Sequence, residues 1–194
     1  MKIEINVPNG KSNEWEVDEF EVKKNELSQQ ISMIKTGRGV PCGKYKKLTR
    51  GSVIVMSNTP DEIRDFIRKL ACVKGNVLIN GLGLGVTVKY LLGKKDITKI
   101  TVIEKSKDVI KLVGPTYLKD NRVKIINADC FKYEPPKNER YNFVWHDIWD
   151  YITSDNLDEM KKLHRKYGRK TDAQASWCRY ECEREKKRES YSYW

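Results

Sequence analysis

Three glycines at alternate positions, Gly81, Gly83 and Gly85, separate the apolar run Val77-Leu78-Ile79 from a second run, Val86 to Leu92, whose apolar residues recur at helical spacing. Strand, tight turn and helix in that order form the opening unit of a nucleotide-binding α/β sheet. Residues without a Cβ accept positive φ and let a ligand lie against bare backbone where the helix begins. The spacing narrows the ligand. A dinucleotide fingerprint needs its third small residue at position 86, which is Val86, and no Gly-x-x-x-x-Gly-Lys-Ser/Thr phosphate loop occurs.

From Gly75 onward strand and helix alternate. Near-continuous apolar runs predict strands at Val77–Asn80, Ile100–Glu104, Val123–Asn127 and Phe143–Asp147, as expected of strands buried on both faces. Val86–Leu92 and Val109–Val113 read as the intervening helices, and 113–121, with Gly114-Pro115, reads as a loop. Leu157, Met160, Leu163 and Tyr167 predict a helix ending at Gly168, Ala173–Cys178 a fifth short strand, and Arg179–Glu189 a charged helical tail. Upstream, Thr59-Pro60-Asp61-Glu62 is a helix start, with Ile63, Phe66, Ile67 and Leu70 on its apolar face. Residues 2–22 predict a hairpin turning at Pro8-Asn9-Gly10, Leu27, Ile31 and Ile34 a short helix ended by Gly37, and 45–48 and 53–56 two further strands. The implied organisation is an N-terminal β-rich extension (1–58), a Rossmann-like, mostly parallel doubly wound sheet (59–178) and a tail (179–194).

In such a sheet a ligand sits at the carboxyl ends of the strands. Glu104 ends the second strand, nineteen residues past Gly85, where an acid accepts hydrogen bonds from both hydroxyls of a ribose. Asp129 follows the third strand, where it can accept from an exocyclic amine of a base. The fourth ends in His146-Asp147-Ile148-Trp149-Asp150. Strand alternation sends His146 and Asp147 to opposite sides, so at most one faces a substrate. Asp147 is the first candidate for holding or deprotonating an acceptor and His146 the second. The competing reading of His146 is a hydrogen-bonded core residue, and of Trp145 and Trp149, core packing.

The succession Val77-Leu78-Ile79-Asn80 with Gly-x-Gly-x-Gly, Ile100-Thr101-Val102-Ile103-Glu104, Arg122 through Phe131, and Tyr141 through Asp147 resembles the motif order of S-adenosylmethionine-dependent class I methyltransferases. Its spermidine-synthase-like branch and small phage-encoded proteins are the nearest match. The resemblance spans about residues 50–150 and implies S-adenosylmethionine as cofactor, held by Asn80, Gly81, Gly83, Gly85, Glu104, Lys105, Asp129, Cys130 and Asp147. No metal is implied. The implied activity is a small methyltransferase-like transferase of unknown acceptor, with a sheet shortened at its C-terminal end. Asp147-x-x-Asp150 matches the paired aspartates with which polyamine synthases hold an amine, so aminopropyl transfer is the alternative. The chain departs from the pattern at Ile79, where many methyltransferases carry an acid, and at Leu84 and Arg64-Asp65-Phe66-Ile67, where the polyamine branch has Asp and Tyr-His-Glu. A third reading is a degenerate nucleoside-binding module with little turnover.

Composition bears on partners and compartment. A net charge of +11 and the acid-free basic run from Lys35 to Arg50 make a candidate nucleic-acid surface. The competing reading is a solvated lysine-rich face, and the N-terminal basicity argues against a polyamine acceptor. Five scattered cysteines, no membrane-length apolar run and a strand-like N-terminus predict a reduced, cytoplasmic protein. An exposed last strand is a candidate edge for a homo-oligomer.

Overall fold

The computed structural model describes residues 3–23 and 39–191; the helix expected around Leu27, Ile31 and Ile34 lies outside them. The N-terminal part is a four-stranded antiparallel sheet in the order β1 (Gly10–Ser12), β2 (Trp15–Val22), β3 (Gly43–Arg50), β4 (Val53–Ser57). The first hairpin does not turn at Pro8-Asn9-Gly10. Ser12 pairs with Trp15, and Asn13 between them takes a φ of +52°, a conformation asparagine tolerates. Residues 3–9 lie outside the strands yet bury Ile3, Ile5 and Val7, so their alternation records burial on one side.

The helix α1 (Pro60–Leu70) begins where Thr59-Pro60 predicts and buries Ile63, Phe66 and Leu70. Each such side chain contributes roughly 1.5–3 kcal/mol. The second sheet follows: β5 (Gly75–Asn80), α2 (Val86–Leu92), β6 (Ile97–Glu104), α3 (Lys107–Tyr117), β7 (Val123–Asn127), β8 (Tyr141–His146), α4 (Asn156–Tyr167), a 3-10 turn at Gly168–Lys170, β9 (Thr171–Ser176) and α5 (Arg179–Tyr191). Its order is β7-β6-β5-β8-β9 and every pairing is parallel. The chain therefore winds outward from β5 in both directions. That is a Rossmann-like doubly wound sheet whose order reverses at β5, which fixes where a ligand crevice opens.

Two element boundaries differ from expectation for packing reasons. The helix α3 runs through Gly114-Pro115 to Tyr117, because Tyr117 is 3% exposed and its hydroxyl donates to the Leu84 carbonyl at 3.1 Å. Burial of that ring outweighs the local break. The last strand of the sheet, β9, starts two residues before Ala173 and stops at Ser176, after which Cys178 takes a φ of +46° and α5 begins.

The two sheets share one core. Val17 and Leu48 of the antiparallel sheet pack in the same cluster as Ile63, Leu84, Val102, Val109 and Trp145. Polar ties anchor the same contact at two points. Ser12 Oγ and Asn13 Nδ2 donate to Asp108 Oδ1 at the start of α3, at 2.6 and 2.9 Å, and Arg50 Nη2 donates to Asp150 Oδ2 at 2.6 Å. The antiparallel sheet thereby overhangs the carboxyl ends of the parallel one.

Candidate functional site

Under that overhang lies a cleft of about 810 Å³, within the range of small-molecule sites. Its floor is made by the tips of β5, β6, β7 and β8, its roof by Trp15, Arg50, Ile54 and Met56.

The glycine turn is tightly determined, though chiefly by protein. Gly81, Gly83 and Gly85 all have positive φ (97°, 50° and 75°). A Cβ on Gly81 would stand 1.9 Å from the Asp147 carbonyl oxygen, and one on Gly85 would stand 2.1 Å from the Tyr117 ring. Those two positions are bare so that β8 and α3 can approach. At Gly83 the nearest atom is the Met56 sulfur, 2.7 Å from an added Cβ, and that sulfur accepts from the Leu84 N–H at 3.2 Å. Of the three, Gly81 and Gly83 border the cleft and Gly85 does not.

Glu104 lies at the tip of β6 beside that turn. Its carboxylate accepts from the Leu82 N–H at 2.8 Å and the Ser106 N–H at 2.7 Å. Burial nevertheless holds its pKa above the ordinary value, the backbone donors offsetting only part of the effect. The Lys105 and Gly83 amides also act on it, so the carboxylate sits among backbone donors at the border of the cleft. Asp129, after β7, accepts from the Phe131 N–H at 2.9 Å and faces Lys105 Nζ at 3.5 Å, so its second oxygen is directed along the β6–β7 rim. Lys105 is largely exposed. The structure thus brings Glu104, Lys105 and Asp129 to one border of one cleft.

The pair His146 and Asp147 separates as alternation requires. Asp147 borders the cleft, with one carboxylate oxygen accepting from Trp145 Nε1 at 3.2 Å. Its pKa is raised to about 6 by burial, with Asp65 adding to it. His146 is wholly buried on the opposite face, between Asn80 Nδ2 at 2.8 Å and Gln174 Oε1 at 3.1 Å. The amide of Asn80 donates, so Nδ1 accepts and Nε2 carries the proton. Burial lowers the His146 pKa to about 4. His146 therefore stands as the neutral core histidine of the competing reading, out of reach of the cleft. Asn80 shares its fate: it is fully buried and its side chain is spent on His146, leaving only its carbonyl, which accepts from the Asp147 N–H at 2.8 Å. Cys130 reaches the cleft but is 6% exposed, and burial pushes its thiol up to about 12, so it supplies wall and no nucleophile. Trp145 is core, while Trp149 borders the cleft and donates to Glu159 Oε2 at 2.8 Å.

The largest difference from expectation is electrostatic. Among the described residues, ten carboxylates and three cationic side chains border the cleft. Asp61, Glu62 and Asp65 of α1 supply a share of these, although in the sequence Asp61 and Glu62 read only as part of a helix start. The i, i+4 spacing of Asp61 and Asp65 was the available signal that one helix face is acidic. Glu62 accepts from both the Ser57 N–H and hydroxyl at 2.7 Å, yet burial and the neighbouring Asp147 and Asp65 carry its pKa up to about 7. The described part of the basic run, conversely, faces acids. Strand β2 sets Asp18, Glu19 and Glu21 across from Lys47, Lys46 and Lys44, Lys46 contacts Glu19 at 3.2 Å, and Arg50 turns to Asp150. Lys35 and Arg38 lie outside the described residues. No group of residues suited to a metal ion and no helix long and apolar enough to cross a membrane occurs among the described residues.

A doubly wound parallel sheet with acids at successive strand tips and a glycine turn at its switch point defines a Rossmann-like architecture. No family model matches the chain. A polyamine aminopropyltransferase of Sulfolobus acidocaldarius is 31% identical over 84 residues, 40% of this chain and 28% of that protein. The chain thus matches under a third of that relative's length. Among solved structures, the DhpI-SAM-HEP complex is 17% identical with a TM-score of 0.44, covering 56% of this chain and 48% of that one. The glycopeptide N-methyltransferase MtfA complexed with S-adenosylmethionine is 20% identical with a TM-score of 0.40, over 57% and 49%. A dimethyladenosine transferase from Plasmodium falciparum is 20% identical with a TM-score of 0.41, over 55% and 37%. Likeness at this level is partial and confined to the fold.

Proposed function

We propose that the cleft binds a sulfonium nucleoside of the S-adenosylmethionine type and that the protein is a transferase delivering a group from it to an amine. The observation that carries this reading is the placement of Glu104 and Asp129 at neighbouring strand tips on one side of the cleft, with Asp147 on the other. The residues suit such a ligand. Glu104 presents a carboxylate to the cleft where a pair of ribose hydroxyls would lie, Asp129 has an oxygen for an amino group of the base, and Ile103 and Phe131 offer apolar surface beside them.

A bound sulfonium supplies an already activated leaving group, so the protein's part is alignment and handling of one proton. Alignment of reacting groups is worth about 7–11 kcal/mol. An amine arrives as an ammonium, and its lone pair is released only when the proton leaves. Asp147, with a pKa near 6, holds the cation and accepts that proton, while Glu62, near 7, shares the charge from α1. Trp145 fixes the Asp147 carboxylate through its indole N–H.

Methyl transfer is the first form of this reading. Aminopropyl transfer is the second, favoured by the carboxylates of α1 in the cleft and by the short stretch shared with the aminopropyltransferase. The acidity of the cleft removes the charge objection to an amine acceptor. For a nucleic-acid partner the cross-strand acids of β2 leave less free positive charge than the run alone suggests. Calorimetric titration with S-adenosylmethionine and S-adenosylhomocysteine tests the proposal. Binding that falls at least about tenfold in Asp129→Ala, roughly the worth of one charge-assisted hydrogen bond, supports it. A protein that gives no heat with either nucleoside refutes it.

A further inference from the structure

The strands of the parallel sheet all begin at the end away from the cleft, and an exposed cation precedes each of them. In the spatial order β7-β6-β5-β8-β9 these are Lys119, Lys95, Lys74, Lys137 and Arg169. Neighbouring strands lie about 4.8 Å apart, so the row crosses about 19 Å of sheet edge. The helices α1, α2, α3 and α4 each lead into one of these strands, so their carbonyl termini face this end and favour cations there. Other basic residues do that work for the fold. Lys94 Nζ donates to the Leu70 and Ala71 carbonyls at 2.8 and 2.5 Å, and Lys170 Nζ to the Pro136 and Lys137 carbonyls at 3.1 and 2.8 Å. Arg122 and Arg140 pair with Asp120 and Asp172, each at 2.8 Å. The side chains of the row do neither: among the described residues none of them meets an acid or a carbonyl. Glu134 and Glu139 are taken by Lys166 and Lys99, which leaves the exposed Asp96 to set against the row.

We infer that this edge docks the phosphate backbone of duplex DNA. The inference stands on the topology of the sheet and does not rest on the transferase reading. A solvated cation needs no partner, but five of them aligned along one edge of a chain of net charge +11 make a continuous strip of positive potential. The strip is the right length for a duplex: half a helical turn, the part of a backbone that faces a flat surface, spans about 17 Å. Its chemistry selects the duplex over a single strand. Single strands are held by aromatic rings on which bases stack. The exposed tyrosines, Tyr151, Tyr180 and Tyr191, all lie outside the segments that precede the strands. Lysines on phosphates position a duplex without reading its sequence, so the contact is sequence-independent. A duplex at this edge leaves the cleft at the other end of the sheet open.

Fluorescence anisotropy with a labelled mixed-sequence DNA duplex of about two helical turns, about 20 base pairs, tests the inference. Affinity is expected to fall about 10²–10³-fold between about 0.05 and 0.2 M salt, the slope for five neutralised phosphates. Lys74→Gln, Lys95→Gln and Lys137→Gln combined should lower the slope of log K against log salt by about 3, about one for each cation removed. Arginine at the same three positions should restore it. Lys74→Gln alone should lower the slope by about 1, which keeps the test readable should the triple variant fail to fold. Lys44→Gln with Lys47→Gln, on the strand faced by the acids of β2, should leave the slope as it is. Four results would each overturn the inference: no binding at about 0.05 M salt, a slope that glutamine in the row does not change, an about tenfold preference for duplex RNA, or binding to phosphatidylserine vesicles without binding to DNA.

Discussion

At the scale of single residues, several side chains serve both the fold and the cleft, and the sequence shows only the second employment. Glu104 was legible as a strand-tip acid, yet two of its acceptor positions hold the Leu82 and Ser106 amides and so hold the glycine turn. The Asp147 carboxylate carries less of the fold, accepting from Trp145 Nε1. Asp147→Asn is therefore expected to spare nucleoside affinity and lower transfer about 10²–10⁴-fold, the usual range for loss of a general base. Single-turnover assays read the rate and calorimetry the affinity; a variant with wild-type turnover would remove Asp147 from the chemistry. His146 gives a stability prediction with a definite sign. Its folded pKa near 4 lies below the ordinary 6.5, so the folded state binds fewer protons between those values. The stabilisation is complete above about pH 6.5 and is lost as pH falls toward 4, by at most about 3 kcal/mol. Glu62 and Asp147, raised by burial, act oppositely over part of that window. The comparison is therefore between wild type and His146→Gln by denaturant unfolding at pH 7.5 and pH 4.5 (about three units apart, spanning the window). Their stability difference should narrow at the lower pH. A constant difference would contradict the neutral assignment.

At the scale of elements, the parallel strands were readable because burial on both faces makes them continuous apolar runs, and the strand tips inherited their acids from that reading. What local pattern missed was decided by contacts distant in sequence. The turn of the first hairpin is set by Asn13, whose amide reaches Asp108, ninety-five residues on. The continuation of α3 past Gly114-Pro115 depends on Tyr117 closing over Gly85. The acidity of the cleft comes from α1, which pattern reading treated as a capped surface helix. The same contact makes Gly85→Ala severe: the added methyl would stand 2.1 Å from the Tyr117 ring at a φ of +75°. A loss of about 2–4 kcal/mol is expected from strain and displaced packing together. Chemical denaturation measures it. Gly51→Ala, at a similar positive φ of +57° but with nothing within 4 Å, should cost only the conformational share, about 1–2 kcal/mol. Equal losses at the two sites would show that Tyr117 does not press on the turn.

At the scale of the whole molecule, charge is segregated. The chain carries a net +11, yet among the described residues its cleft is bordered by ten carboxylates and three cations. A low-dielectric cleft lined by one sign of charge concentrates ligands of the opposite sign, an effect that falls with ionic strength. Amine affinity is accordingly expected to weaken steadily as salt rises from about 0.01 M to 0.15 M, where the screening length drops from about 30 to 8 Å. Nucleoside affinity, carried by shorter contacts at Glu104 and Asp129, should change less. Opposite salt responses would misplace the acceptor side. The central claim is that a nucleoside lies across the tips of β5, β6 and β7, its sugar at Glu104 and its base at Asp129. A crystal structure of the protein soaked with S-adenosylhomocysteine tests it most directly. Density is expected over Gly81 and Gly83 with both ribose hydroxyls on the Glu104 carboxylate; density elsewhere, or a cleft that stays empty at saturating ligand, would rule this placement out.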